Sequence, residues 1–174
     1  MDFINWAELH GISLSGNNVA EIQSLKLCGL SFKQLPSCLS ELKQLTRLEI
    51  SECPELEQID IESENHPNLF EIQVWNCPKL RGFDVGKSTF KNLQFFGVRS
   101  CHSLLEIPEQ LCKSDNLNFI SLCDCPALES LPNGLGQNGN LRQLSISGCQ
   151  SIQSIPASLL QCHYLNFNLA FNHS

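Results

Sequence analysis

The chain has 174 residues, of which 42% are apolar and 17% charged, and its formal net charge is −7. That length suits one domain and the apolar share allows a continuous core. The acidic balance repels phosphate backbones, so no nucleic-acid partner is expected, and no apolar run reaches the ~18 residues that a membrane helix needs. The charge is uneven: residues 1–86 hold 13 acids and 6 bases, whereas residues 87–174 hold 5 of each.

The chain opens Met1-Asp2-Phe3-Ile4-Asn5-Trp6, without the basic and apolar stretches of a secretion signal, and its first base is Lys26. With this start, the ten cysteines read as reduced thiols in a cytoplasmic compartment. Leu9, Ile12, Leu14 and Asn17 follow a strand-like spacing, but only 13 residues separate them from the next such motif. Two readings stay open. Ser15-Gly16-Asn17-Asn18 is a hairpin turn joining residues near 9–14 to residues near 19–27, or the segment is a shortened repeat. Residues 1–21 are assigned as an N-terminal cap, with Phe3, Ile4 and Trp6 over the open end of the core.

From Ile22 onward a repeat takes over. Leu45, Leu48, Ile50, Cys53, Leu56 and Ile59 return 24 residues later as Leu69, Ile72, Val74, Cys77, Leu80 and Phe83. The pattern recurs from Leu93, from Leu117 and, for the last time in full, as Leu141, Leu144, Ile146, Cys149, Ile152 and Ile155. An earlier copy from Ile22 carries Leu30 in place of the cysteine. A fixed period of this size means stacked units, none of which can bury its apolar face alone. The alternation in Leu144-Ser145-Ile146 predicts a strand with one buried face. Leu35-Pro36, Ile107-Pro108, Leu131-Pro132 and Ile155-Pro156 predict return segments that are extended or 3-10, with at most a short helical turn. Repeats are assigned to residues 22–163. Tyr164, Phe167, Leu169 and Asn172 fit a terminal strand, residues 164–174, one residue short of the period. Asn172-His173-Ser174 is a glycosylation sequon that carries little weight at this position.

These residues resemble the leucine-rich repeat family, from Ile22 to Asn172. The resemblance implies a β-dominated α/β solenoid, curved and right-handed, with a parallel sheet on its concave face. It also implies a non-catalytic protein-interaction module. Leu122-Cys123-Asp124-Cys125-Pro126-Ala127-Leu128-Glu129-Ser130-Leu131-Pro132 looks like repeats of plant nucleotide-binding disease-resistance receptors, which sense pathogen molecules. Bacterial effectors delivered into a host cytoplasm use similar repeats, as do short stand-alone repeat proteins. The sequence does not choose among the three. A second class of function stays open: the substrate-recognition part of a larger enzyme, such as a ubiquitin ligase or a nucleotide-driven switch.

In each repeat the third, fifth and seventh positions point away from the core. The third column reads Ser24, Arg47, Glu71, Phe95, Phe119, Gln143. The fifth reads Lys26, Glu49, Gln73, Gly97, Ser121, Ser145, and the seventh Cys28, Ser51, Trp75, Arg99, Cys123, Ser147. Trp75, Phe95, Arg99 and Phe119 form a candidate binding patch, because exposed aromatics and arginine are enriched at interface hot spots. Phe70 lies at its edge, and Gly97 and Ser121 are expected to leave a shallow hollow. Arg47, Glu49 and Glu71 form a mainly acidic zone beside it, continuing through Glu52, Glu55, Glu57, Asp60, Glu62 and Glu64. The pair of zones suggests a protein partner with an apolar anchor and a basic flank. The competing reading is that Phe95 and Phe119 merely stabilise each other across strands.

No catalytic constellation is found. His10, His66, His102, His163 and His173 have no nucleophile at a recognisable spacing, and no cofactor site is expected. The column Cys53, Cys77, Cys101, Cys125, Cys149 is a linear ladder about 5 Å apart, whereas zinc needs ligands converging on one point. The resemblance implies a structural role, with each thiol tending the backbone where the chain leaves the strand. Oligomeric state is not legible.

Overall fold

The computed structural model describes residues 5–7, 18–87, 89–137 and 139–170. Its backbone is a parallel solenoid. Seven strands run in one sheet: β1 (Ser24–Cys28), β2 (Arg47–Ser51), β4 (Glu71–Trp75), β6 (Phe95–Arg99), β7 (Phe119–Cys123), β8 (Gln143–Ser147) and β9 (Asn166–Ala170). Two short strands, β3 (Gln58–Asp60) and β5 (Gly82–Asp84), pair in parallel as a second sheet. The main register follows the sequence period: Leu48 pairs with Ile72, Ile72 with Phe96, Phe96 with Ile120 and Ile120 with Leu144. At the last strand it shortens, and Leu144 pairs with Phe167.

The core consists of the inward residues of successive strands, stacked in columns. Leu25, Leu48, Ile72, Phe96, Ile120 and Leu144 form one, and Leu27, Ile50, Val74, Val98, Leu122 and Ile146 the next; all are buried. Each such side chain contributes about 1.5–3 kcal/mol by leaving water. Because the columns run through every repeat, the sheet is a rigid platform whose outward residues have fixed positions.

Each return segment takes its form from the residue after its apolar anchor. Where that residue is proline, a helical turn starts at once. The N–H of Leu39, Leu111, Leu135 and Leu159 donates to the carbonyl of Pro36, Pro108, Pro132 and Pro156 at 3.0–3.1 Å. The resulting turns are 3-10 at Ser37–Glu41 and Ala157–Gln161, and α-helical at Glu109–Cys112. Where the residue is Asp60 or Asp84 the chain stays extended and makes β3 and β5. The extended form agrees with the extended or 3-10 return segments expected from the sequence; the pairing of two of them into a second sheet was not expected, and its signal was the missing proline in those two repeats.

The exits from the strands are also repeated. Gly29, Glu52, Asn76, Ser100, Asp124 and Gly148 adopt left-handed φ values of 52–69°. Each donates its N–H to the carbonyl at the end of the next strand, as Glu52 does to Trp75 (3.1 Å) and Asp124 to Ser147 (2.8 Å). The cysteine that follows turns its Sγ to the carbonyl two residues before it, at 3.3–3.5 Å in all five copies. A small, weakly polar side chain fits this buried corner and satisfies a carbonyl there. A second ladder stitches the return side. Asn68, Asn92, Asn116 and Asn140 donate to the carbonyls of Lys43, Pro67, Lys91 and Asp115 in the preceding turn, at 2.7–3.4 Å.

At the N-terminal end, residues 5–7 are helical, Trp6 and Ala7 are buried, and the Trp6 ring meets Phe32 edge-on at 6.0 Å. The first arm of the expected hairpin, residues 9–14, and its turn at residues 15–17 lie outside the described residues. On the other arm, Val19–Glu21 is a 3-10 turn and β1 pairs in parallel with β2. Among the described residues no helix is long and apolar enough to cross a membrane.

Candidate partner-binding face

All seven nominated residues lie on the outward side of the main sheet, in register. Arg47, Glu71, Phe95 and Phe119 occupy one row of paired positions, and Trp75 pairs with Arg99 in another. Glu49 sits in the row between. The side chains divide into two groups with different chemistry.

The first group covers β1, β2 and the start of β4. Lys26 forms an ion pair with Glu49, and Arg47 with Glu71 at 3.0 Å. Gln73 also donates to Glu71. The Lys26 ammonium lies 5.7 Å from the Trp75 ring centre, and the Arg47 guanidinium 5.6 Å from that of Phe70. The Trp75 ring therefore leans towards β1, across Ser51, which is only 1% exposed although it belongs to the outward row. The hydrogen bond and charge of Glu49 raise the Lys26 pKa, which keeps the ammonium charged. Off the sheet, Glu55 is held by Lys79 and Glu57 by Lys33, and Lys33 lowers the pKa of Glu57. Glu49, Glu55, Glu57 and Glu71 of the acidic zone are thus paired with cations from within.

The second group covers β6, β7 and β8. Phe95 and Phe119 stack nearly parallel, with ring centres 4.6 Å apart and planes 13° apart. The Phe95 ring also folds down over its own strand. A Cβ at Gly97 would stand 2.9 Å from its Cε1, so only glycine leaves room for that ring. The hollow expected above Gly97 is therefore partly filled, and the open space of about 340 Å³ extends across Ser121, Ser145 and Ser147 to Trp75 and Arg99. Ser147 donates to the Cys123 sulfur at 3.1 Å. Arg99 is exposed, and among the described residues its guanidinium makes no ion pair or side-chain hydrogen bond.

The buried Cys53, Cys77 and Cys125 thiols are poor nucleophiles. Cys77 is pushed up to about 12, chiefly by its hydrogen bond with Cys101. Cys53 and Cys125 are raised by bonds to the next cysteine and by burial. Among the described residues, no three His, Cys, Asp or Glu side chains converge where a metal would sit. His66 is buried with its Nδ1 3.3 Å from the Leu42 carbonyl, and burial holds its pKa below the usual value. His66 and the asparagine ladder are structural features that the sequence reading passed over. The recurring Asn-Leu pair at 68–69, 92–93, 116–117 and 140–141 was the visible signal for the ladder.

No protein-family model matches the chain, and no curated protein matches it by sequence. Solved structures do match. The leucine-rich repeat domain of the type III effector XopL aligns with a TM-score of 0.73 at 19% identity, covering 86% of this chain and 52% of that one. The chain thus spans about half the length of that domain. A leucine-rich repeat protein of Leptospira interrogans and the internalin InlF of Listeria monocytogenes align at 14% and 12% identity, with TM-scores of 0.23 and 0.25. They cover 88% and 87% of this chain and 62% and 74% of their own. The fold is that of a leucine-rich repeat domain.

Proposed function

We propose that this chain is a non-catalytic recognition module that binds a protein partner through the outward face of its main sheet, at Trp75, Phe95, Arg99 and Phe119. One observation carries the reading: two stacked rings, a tryptophan and an unpaired arginine border one trough on a rigid sheet. Half-buried aromatics are the side chains that yield most on desolvation by a partner. Stacking between Phe95 and Phe119 does stabilise the sheet, as a cross-strand pair would. It also presents a flat apolar surface, so the two roles coexist.

The biological setting that fits is an effector or immune-type recognition domain. The solved domain that aligns at a TM-score of 0.73 belongs to a type III effector, and a recognition role within a larger protein is compatible with the same face. Alanine at Trp75, Phe95 and Phe119 together should abolish capture of the partner in a pull-down from the source cell. The far-UV circular dichroism should stay unchanged. Undiminished capture by this variant would contradict the proposal.

A further inference from the structure

The trough beside the stacked rings has a one-sided chemistry. Its two ridges are the Phe95–Phe119 pair and the Trp75–Arg99 pair, four residues apart along the strands or about 13 Å. Its open floor is Ser121 and Ser145, with the Phe95 ring lying over Gly97 beside them. That width admits one extended segment lying across the strands. The polar lining of the trough is the Arg99 guanidinium, the Gln73 amide, whose N–H goes to Glu71, and the Ser121, Ser145 and Ser147 hydroxyls, which can donate or accept; Arg99 is the one charged group among these lining residues. The carboxylates of the sheet face are engaged elsewhere, Glu49 by Lys26 and Glu71 by Arg47 and Gln73. Another carboxylate, Asp124, lies in the turn after β7, with its Oδ2 3.5 Å from the Cys123 sulfur. An unsatisfied cation and two hydroxyls between apolar walls complement an anion carried next to an apolar group.

We infer that the trough takes an acidic peptide segment, with a carboxylate on Arg99 and an adjoining apolar side chain against the Phe95–Phe119 rings. The inference rests on the reading that this face binds a protein partner. It differs from the basic flank expected from the sequence: of the acids behind that expectation, the two on the sheet face, Glu49 and Glu71, are paired with Lys26 and Arg47.

The test is to pan a random peptide library on the immobilised 174-residue chain. The enriched peptides should carry Asp or Glu within a few residues of an aromatic or aliphatic residue. One such peptide should bind the Arg99→Gln variant about tenfold more weakly, the effect of one charge-assisted hydrogen bond. Panning on Arg99→Glu should enrich Lys or Arg instead. If binding is lost in Phe119→Ala but is indifferent to Arg99→Gln and Arg99→Glu, or if the wild-type chain enriches basic or uncharged peptides, the acidic assignment is overturned while the face stands. If nothing is enriched, or the binders are indifferent to Phe119→Ala as well, the face itself is wrong and the inference falls with it.

Discussion

The two halves of the sheet face use one backbone for opposite ends. On β1, β2 and β4 the outward side chains satisfy one another: Lys26 with Glu49 and Trp75, Arg47 with Glu71 and Phe70. On β6, β7 and β8 they are, apart from Gln143, small or aromatic, and the one cation is unpaired. A repeat fixes where outward residues stand and leaves their identity free. A face that completes its own interactions has little to offer a partner, whereas a face with flat apolar rings and an unpaired charge has much. The contrast lies in the side chains, since the registers beneath both halves are continuous.

That shared core sets the largest expected effect. Leu48→Ala under the charged half and Ile120→Ala under the aromatic half should each cost about 3 kcal/mol in chemical denaturation, the usual loss for a buried large side chain. A cost below about 1 kcal/mol at either site would mean that the halves do not share one cooperative core. On the surface the halves should diverge. Phe119→Ala removes a stacked ring and should cost about 1 kcal/mol of stability. Glu52→Gly should gain about 1 kcal/mol, because a non-glycine side chain in the left-handed region is strained and Glu52 has φ 54°. Equilibrium unfolding of that variant checks it, and a loss would show that the Glu52 side chain has a stabilising contact.

A pH dependence belongs to the charged half. Burial lowers the pKa of His66 from its ordinary 6.5, so the folded state binds fewer protons than the unfolded one around that pH. Stability contributed by the neutral ring is present above 6.5 and declines as the pH falls below it. His66→Asn should flatten that part of a melting-temperature profile; an unchanged profile would assign the dependence to other groups. The smallest effect is Arg47→Ala. An exposed ion pair contributes about 0.5 kcal/mol or less, and thermal melts should barely distinguish the variant from the parent.

The periodic features were legible in the sequence because a period constrains many residues at once. The strand rows, the buried cysteine column and the outward columns all follow from spacing. Three features did not. The second sheet depends on Asp60 and Asp84 standing where other repeats have proline, a difference of one residue against a strong pattern. The left-handed exits fall on Glu52 and Ser100, residue types that give no hint of such a conformation. The charge pairing depends on which way long side chains lean. Trp75 inclines towards Lys26 because Ser51 leaves it room, and Phe95 drops onto Gly97 because glycine does. Neighbouring volumes on adjacent strands decided both, and no single repeat carries that information.

The central claim is that recognition belongs to the aromatic rings and Arg99 of β6 and β7, with Trp75 at their edge, and not to the Lys26–Glu49 and Arg47–Glu71 pairs. Isothermal titration of one panned peptide against the parent chain, Phe119→Ala and Arg47→Ala tests it directly. The account predicts at least about a thirtyfold loss for Phe119→Ala, as for an interface hot spot, and less than about threefold for Arg47→Ala. Equal losses, or a larger loss for Arg47→Ala, would contradict it.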